Sequence, residues 1–169
     1  MLGTAPVPFR KAILDAGPLY SALTLKVVSR RPASHNFILS KNKLKDYLRS
    51  PKAQKNFLLI FDNIQTVLTT SHVIGEIKGL QQLKGQHEKD FWRCVVDVFR
   101  EKKLDERLIR LLELAEGDLG SMIPKIGPVD TGLIELARRE RCPLLTEDGK
   151  LGGFAKASGI EFHLVVGLI

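Results

Sequence analysis

Lys11-Ala-Ile-Leu-Asp15-Ala-Gly-Pro18 is the stretch on which the reading of the fold turns. A short apolar run closes on an acid and is followed at once by Ala16-Gly17-Pro18, which reads as a buried strand running into a turn. Outward from it, Leu19 to Val28 opens a helix. Leu44, Tyr47 and Leu48, then Phe57, Ile60, Phe61 and Ile64, recur at helical spacing, and Pro51 separates the two groups into two helices.

Thr66-Val67-Leu68-Thr69-Thr70 is rich in β-branched residues and reads as a second strand. Ser71 offers an N-cap to a helix carrying Ile74, Ile77 and Leu80. Phe91, Val95, Val98 and Phe99 form the apolar stripe of another helix, and Leu108, Leu111, Leu112 and Ala115 that of the next. Gly117 to Val129 reads as loop, and Asp130 caps a helix with Leu133, Leu136 and Ala137 inward. Pro143-Leu-Leu-Thr146 is a third strand, ended by the turn signal Asp148-Gly149, and Glu161 to Val166 a fourth. Strands separated by helices imply a parallel sheet with right-handed crossovers and helices on both faces. With no repeat, linker or low-complexity tract, residues 1–169 read as one α/β domain.

Composition excludes several classes. A chain of 169 residues, 44% hydrophobic and 27% charged, has the make-up of a globular domain rather than a disordered one. Cys94 and Cys142 form neither a disulfide framework nor a zinc-finger spacing, which fits a reduced compartment. The longest interior apolar run, Phe57 to Phe61, is far short of the ~20 residues that span a bilayer. The start, Met1-Leu-Gly-Thr-Ala-Pro6, has no charged n-region ahead of an apolar core, so the expectation is a cytoplasmic protein. The net charge of +7 is concentrated. Lys26, Arg30, Arg31, Lys41, Lys43, Lys45, Arg49, Lys52 and Lys55 face only one acid, Asp46, within that stretch. Such an excess suits a polyphosphate ligand, with Lys41, Lys43 and Lys45 the candidate RNA contacts, although a solubilising surface has the same composition.

In open parallel sheets, ligands bind where strands end and helices begin. Asp15 closes the first strand, Glu76 lies in the first turns of the helix after the second, and Asp148 follows the third. Asp130 opens the helix that leads into the third strand. Each acid alone also fits an ordinary cap, turn or helix-dipole role. Gathered on one edge they repel one another and raise one another's pKa, which a fold avoids unless a cation compensates them. Oxygen donors without histidine or cysteine point to Mg²⁺ or Mn²⁺, and such an ion activates water and neutralises a phosphodiester.

The segments Ala12-Ile-Leu-Asp15-Ala-Gly-Pro-Leu, Thr70-Ser-His-Val-Ile-Gly-Glu76, Val129-Asp130-Thr-Gly-Leu-Ile-Glu-Leu-Ala and Leu144-Leu-Thr-Glu-Asp148-Gly-Lys-Leu resemble the ordered motifs of PIN domains, and among these the VapC-type ribonuclease toxins of toxin–antitoxin pairs. The likeness runs from about Ala12 to Val165. It implies a PIN-like α/β nuclease domain in which Asp15, Glu76, Asp130 and Asp148 bind metal and act in catalysis, with Thr146 a hydroxyl that steadies the site. It further implies metal-dependent endonucleolytic hydrolysis of RNA, a homodimer and a cognate antitoxin. Ala16 departs from the pattern, since many members carry a hydroxyl after the first acid.

Other residues rank lower. Glu147 and Glu135 neighbour motif acids but are expected to point elsewhere by periodicity, Glu135 into solvent. His72 reads as structural rather than a phosphate contact, Trp92 as core or interface rather than a base-stacking platform, and Cys94 as an unactivated thiol. The rival readings are a catalytically silent PIN-like module that holds RNA or protein, and an RNA-processing nuclease that is no toxin. A haloacid-dehalogenase-type phosphatase needs a second Asp two residues after the first, where this chain has Gly17.

Overall fold

In the computed structural model, residues 9–31, 35–41 and 44–169 are described. Five parallel strands make the sheet: β1 (Lys11–Leu14), β2 (Thr66–Thr69), β3 (Asp105–Glu106), β4 (Leu144–Thr146) and β5 (Phe162–Leu164), in the order β3-β2-β1-β4-β5. The helices are α1 (Ala16–Arg30), α2 (His35–Lys41), α3 (Pro51–Asn63), α4 (Ser71–Leu80), α5 (Gln86–Glu101), α6 (Leu111–Glu116), α7 (Ile123–Glu140) and α8 (Gly149–Ala157).

The order explains the layering. From β1 the chain steps through β2 to β3 on one side, then returns across the sheet to β4 and β5 on the other. Right-handed crossovers then put α1 to α5 on one face and α6 to α8 on the opposite one. The helix packing agrees, for α1 touches α2, α3, α4 and α5, whereas α7 touches α6 and α8. β1 lies between the two layers, and Ala12, Ile13 and Leu14 are fully buried. The expected α/β fold with a flanked parallel sheet is what the chain adopts.

Several local expectations are corrected. Ala16-Gly17-Pro18 is no turn but the first turn of α1, because Asp15 caps the helix through Ala16 N and a proline in the first turn forfeits no helical hydrogen bond. Tyr47 and Leu48 lie in a short 3₁₀ turn, Asp46–Leu48, not a full helix. Ser71 begins α4, and Thr70 takes the cap position without a side-chain bond. Leu108, Leu111 and Leu112 are 73%, 59% and 68% exposed, and Leu114 is the buried residue of α6. The backbone is still extended before Leu111, so the assumed helical phase does not hold. Gly117 to Val129 is largely helical: a 3₁₀ turn, Gly120–Met122, feeds α7, whose Pro124 sits in its first turn. The α7 backbone breaks at Gly127, with φ +85°, and resumes at Pro128.

Candidate functional site

The direction of chain travel reverses between β1 and β4, and there the crevice opens. The register pairs Leu14 with Leu145, so Asp15 and Thr146 emerge side by side at the carboxyl ends. Asp15 N donates to Leu145 O at 3.1 Å, which prolongs the pairing by one residue. The buried Thr146 hydroxyl donates to Asp15 Oδ2 at 2.8 Å and accepts from Asp148 N at 3.0 Å. One side chain thereby ties the Asp15 carboxylate to the backbone of Asp148, the acids that follow the two strands. Asp15 Oδ1 accepts from Ala16 N at 2.6 Å.

Asp148 is no simple turn former. Its Oδ1 accepts from Lys150 N at 2.6 Å and Leu151 N at 3.3 Å, capping α8 and leaving Oδ2 outside both bonds. Asp130 is not the cap of its helix either. It falls in the first turn after the Gly127 break, where Thr131 Oγ1 donates back to Gly127 O at 2.7 Å. Glu76, exposed on α4, joins them at the same cavity.

All four acids line one cavity of about 1160 Å³. Asp130 has its pKa pushed up to about 6, first by burial and then by the charges of Asp15, Asp148 and Glu76. Burial also leads for Asp15, with Thr146 and Ala16 N opposing it and Asp148 adding to it. Glu76 is raised by partial burial and by Asp15. The expected mutual repulsion is present, but burial is the larger cause. Among the described residues, no three His, Cys, Asp or Glu side chains stand close enough to hold a metal ion between them.

Glu147 overturns its expectation. β4 ends at Thr146, so strand alternation no longer governs the next residue, and the Glu147 side chain turns into the cavity with only 11% exposure. Tyr47 Oη donates to its Oε1, and Lys45 Nζ lies 3.8 Å from its Oε2. Burial holds the Glu147 carboxyl above its ordinary value against the pull of Tyr47 and Lys45. Gly17 makes room for it, because a Cβ there would stand 2.5 Å from Oε2. Sequence patterning carried no signal for this cluster, whose members lie 100 residues apart. Glu135 is also corrected: it is buried rather than solvent-facing and pairs with Arg139 Nε and an Arg138 amino group, both at 2.6 Å.

The basic stretch is partly spent on the fold. Lys26 pairs with Asp62, Arg30 with Glu101, Arg31 with Asp90 and Arg49 with Asp46. Lys41 is exposed at the end of α2 and Lys45 lines the cavity, while Lys43 lies outside the described residues. His72 lines a small, mostly apolar pocket with Arg107 and Leu111, and Cys94 is a buried free thiol. In comparisons with known proteins, no family model, curated protein or solved structure matches the chain.

Proposed function

We propose that the chain is a PIN-like endoribonuclease that hydrolyses RNA phosphodiester bonds with Mg²⁺ or Mn²⁺, acts in the cytoplasm, and serves as the toxin of a toxin–antitoxin pair. The observation that carries this reading is the meeting of Asp15, Glu76, Asp130 and Asp148 in one cavity at the switch point of the sheet. The order and flanks of these acids resemble the PIN motifs. The buried free cysteines support a reducing compartment, and among the described residues no helix is long and apolar enough to cross a membrane.

The donor set fits a hard cation, since every group offered is a carboxylate. It does not form an all-protein cage, because no three acids converge on one point. That arrangement suits a hydrated ion held by one or two carboxylates and its own waters, which is the habit of Mg²⁺. When bound, such an ion supplies an activated water and offsets charge on the phosphodiester. The protein's part is orientation. Thr146 holds the Asp15 carboxylate, the α8 cap holds that of Asp148, and Lys45 places a positive charge on the same wall.

Cleavage of single-stranded RNA with Mn²⁺, its loss in EDTA and its loss in Asp15→Asn are the expected results. Full cleavage in EDTA overturns the metal mechanism. A second reading, a silent PIN-like module that holds RNA or protein, draws support from the spacing of the acids. It predicts RNA binding without turnover under any cation. A homodimer and a cognate antitoxin follow from the resemblance, and an antitoxin-like reading frame beside the gene separates the toxin role from RNA processing.

A further inference from the structure

A second concavity lies between α4 and α5, on the far side of α4 from the acids. It has a volume of about 660 Å³ and is lined by Lys78, Glu88, Lys89, Trp92, Arg93 and Val96. Trp92 is partly buried against the core, with its ring perpendicular to that of Phe91 at 5.6 Å between centroids. Lys78, Lys89 and Arg93 are exposed around it. Arg93 pairs with Asp90, and the one acid of the lining, Glu88, accepts from Gln81 Nε2 at 3.1 Å. The lining therefore carries three cations against one acid, with an aromatic side chain among them. Aromatic rings take the faces of unstacked bases, and the surrounding cations take the backbone.

The surface between this groove and the acid-lined cavity is low along the last two turns of α4, with Ser71 and His72 exposed at its first turn. On α4, Lys78 belongs to the groove, and Glu76 and Leu80 belong to the cavity. At 100° per residue, Gly75 and Gly79 project between those two sides. Both are exposed, and a Cβ at either would meet nothing within 4 Å. Two exposed glycines one turn apart leave a low saddle there, flanked toward the helix start by Ser71 and His72. Its width, roughly 10 Å, is about three nucleotides at the stacked rise of ~3.4 Å.

We propose that the α4–α5 groove is an accessory site for single-stranded RNA. One unpaired base stacks on Trp92, the adjoining phosphates lie on Lys78 and Lys89, and the strand crosses the Gly75–Gly79 saddle into the cavity. This rests on the nuclease reading and adds how the substrate is held beside the point of cleavage.

Trp92 is the chain's single tryptophan, so its emission reports on the groove alone. The experiment titrates the full chain in EDTA with a dye-labelled single-stranded oligonucleotide, following dye anisotropy and tryptophan emission together. The two signals should saturate in parallel, with emission quenched by stacking. Trp92→Ala should weaken binding about tenfold. Lys78→Gln with Lys89→Gln, which leaves the ring in place, should lower the salt slope by roughly 1.4. Saturating anisotropy with unchanged emission and an unchanged salt slope overturns the groove. So does the absence of binding, or an emission change that follows protein concentration without RNA, which would assign the groove to contact between copies. Mn²⁺-dependent cleavage, assayed separately with wild type, tells failure of the groove from failure of the nuclease reading.

Discussion

Replacing Asp130 by asparagine isolates what burial and like charge cost the metal-free fold. In the native chain this carboxyl titrates near 6, against an ordinary value of 3.8. A raised native pKa means that the folded state binds the proton more tightly than the unfolded state. The resulting stability is fully present below pH 3.8 and is lost as pH rises through about 6. The gap between those two values corresponds to ~3 kcal/mol at full value. Asp130 is only half-buried, so solvent screening cuts this to about 1 kcal/mol. In EDTA at pH 8, Asp130→Asn should therefore melt higher than wild type by about 2–4 °C, the rise expected for a chain of 169 residues. At pH 4 the two should melt together. Differential scanning calorimetry at the two pH values is the assay. Asp130 also lies in the first turn after the Gly127 break, where the helix dipole favours a negative charge by about 0.3–1 kcal/mol. If that attraction governed, the variant would melt lower than wild type at pH 8, and the reasoning from repulsion would be refuted.

Added Mn²⁺ at ten times its dissociation constant should stabilise wild type by about 1.4 kcal/mol, and the gain should shrink in Asp15→Asn. An equal thermal shift in that variant would remove Asp15 from the proposed metal ligands. Thr146→Val takes a donor from Asp15 and an acceptor from Asp148 N. It should cost ~1–3 kcal/mol by urea unfolding and lower cleavage, with Thr146→Ser restoring both. Tyr47→Phe removes the hydroxyl that Glu147 Oε1 accepts, so stability should fall by ~1–3 kcal/mol at pH 8 and by less near pH 4, where the Glu147 carboxyl is protonated. Equal losses at both pH values would show that the pair does not depend on the Glu147 charge. Lys41→Gln with Lys45→Gln should flatten the salt dependence of RNA binding by roughly 1.4, and an unchanged slope would assign both lysines to solubility.

What the sequence disclosed followed burial. β1, β2 and β4 are short apolar or β-branched runs enclosed by helices, and such runs announce themselves. β3 is Asp105–Glu106, a pair of polar residues at the sheet edge, recognisable as strand only by pairing with Leu68 and Thr69. The stretch before Asp130 misled because proline and glycine mark loops on average. Here Pro124 occupies a helix start and Gly127 supplies one left-handed break, so both residues serve helices. Of the site, Asp15 and Asp148 were legible because each follows a strand and caps a helix, and Glu76 and Asp130 because each lies within two turns of a helix start or restart. Glu147 was not, because periodicity stops with the strand, and its partner Tyr47 arrives from a turn that no pattern ties to it.

The bond between Thr146 and Asp15 joins residues 131 positions apart. β1 is the central strand, yet the flank that faces Asp15 is supplied only when β4 pairs with it. A chain leaving the ribosome from its amino end makes β1, β2 and β3 long before that neighbour exists. Until Thr146 is synthesised and docked, Asp15 has no hydroxyl to hold it and Asp148 is absent from the crevice. The site is therefore incomplete until β4 and the residues that follow it have been made. That delay follows from the place of β4 late in the chain and beside β1 in the sheet.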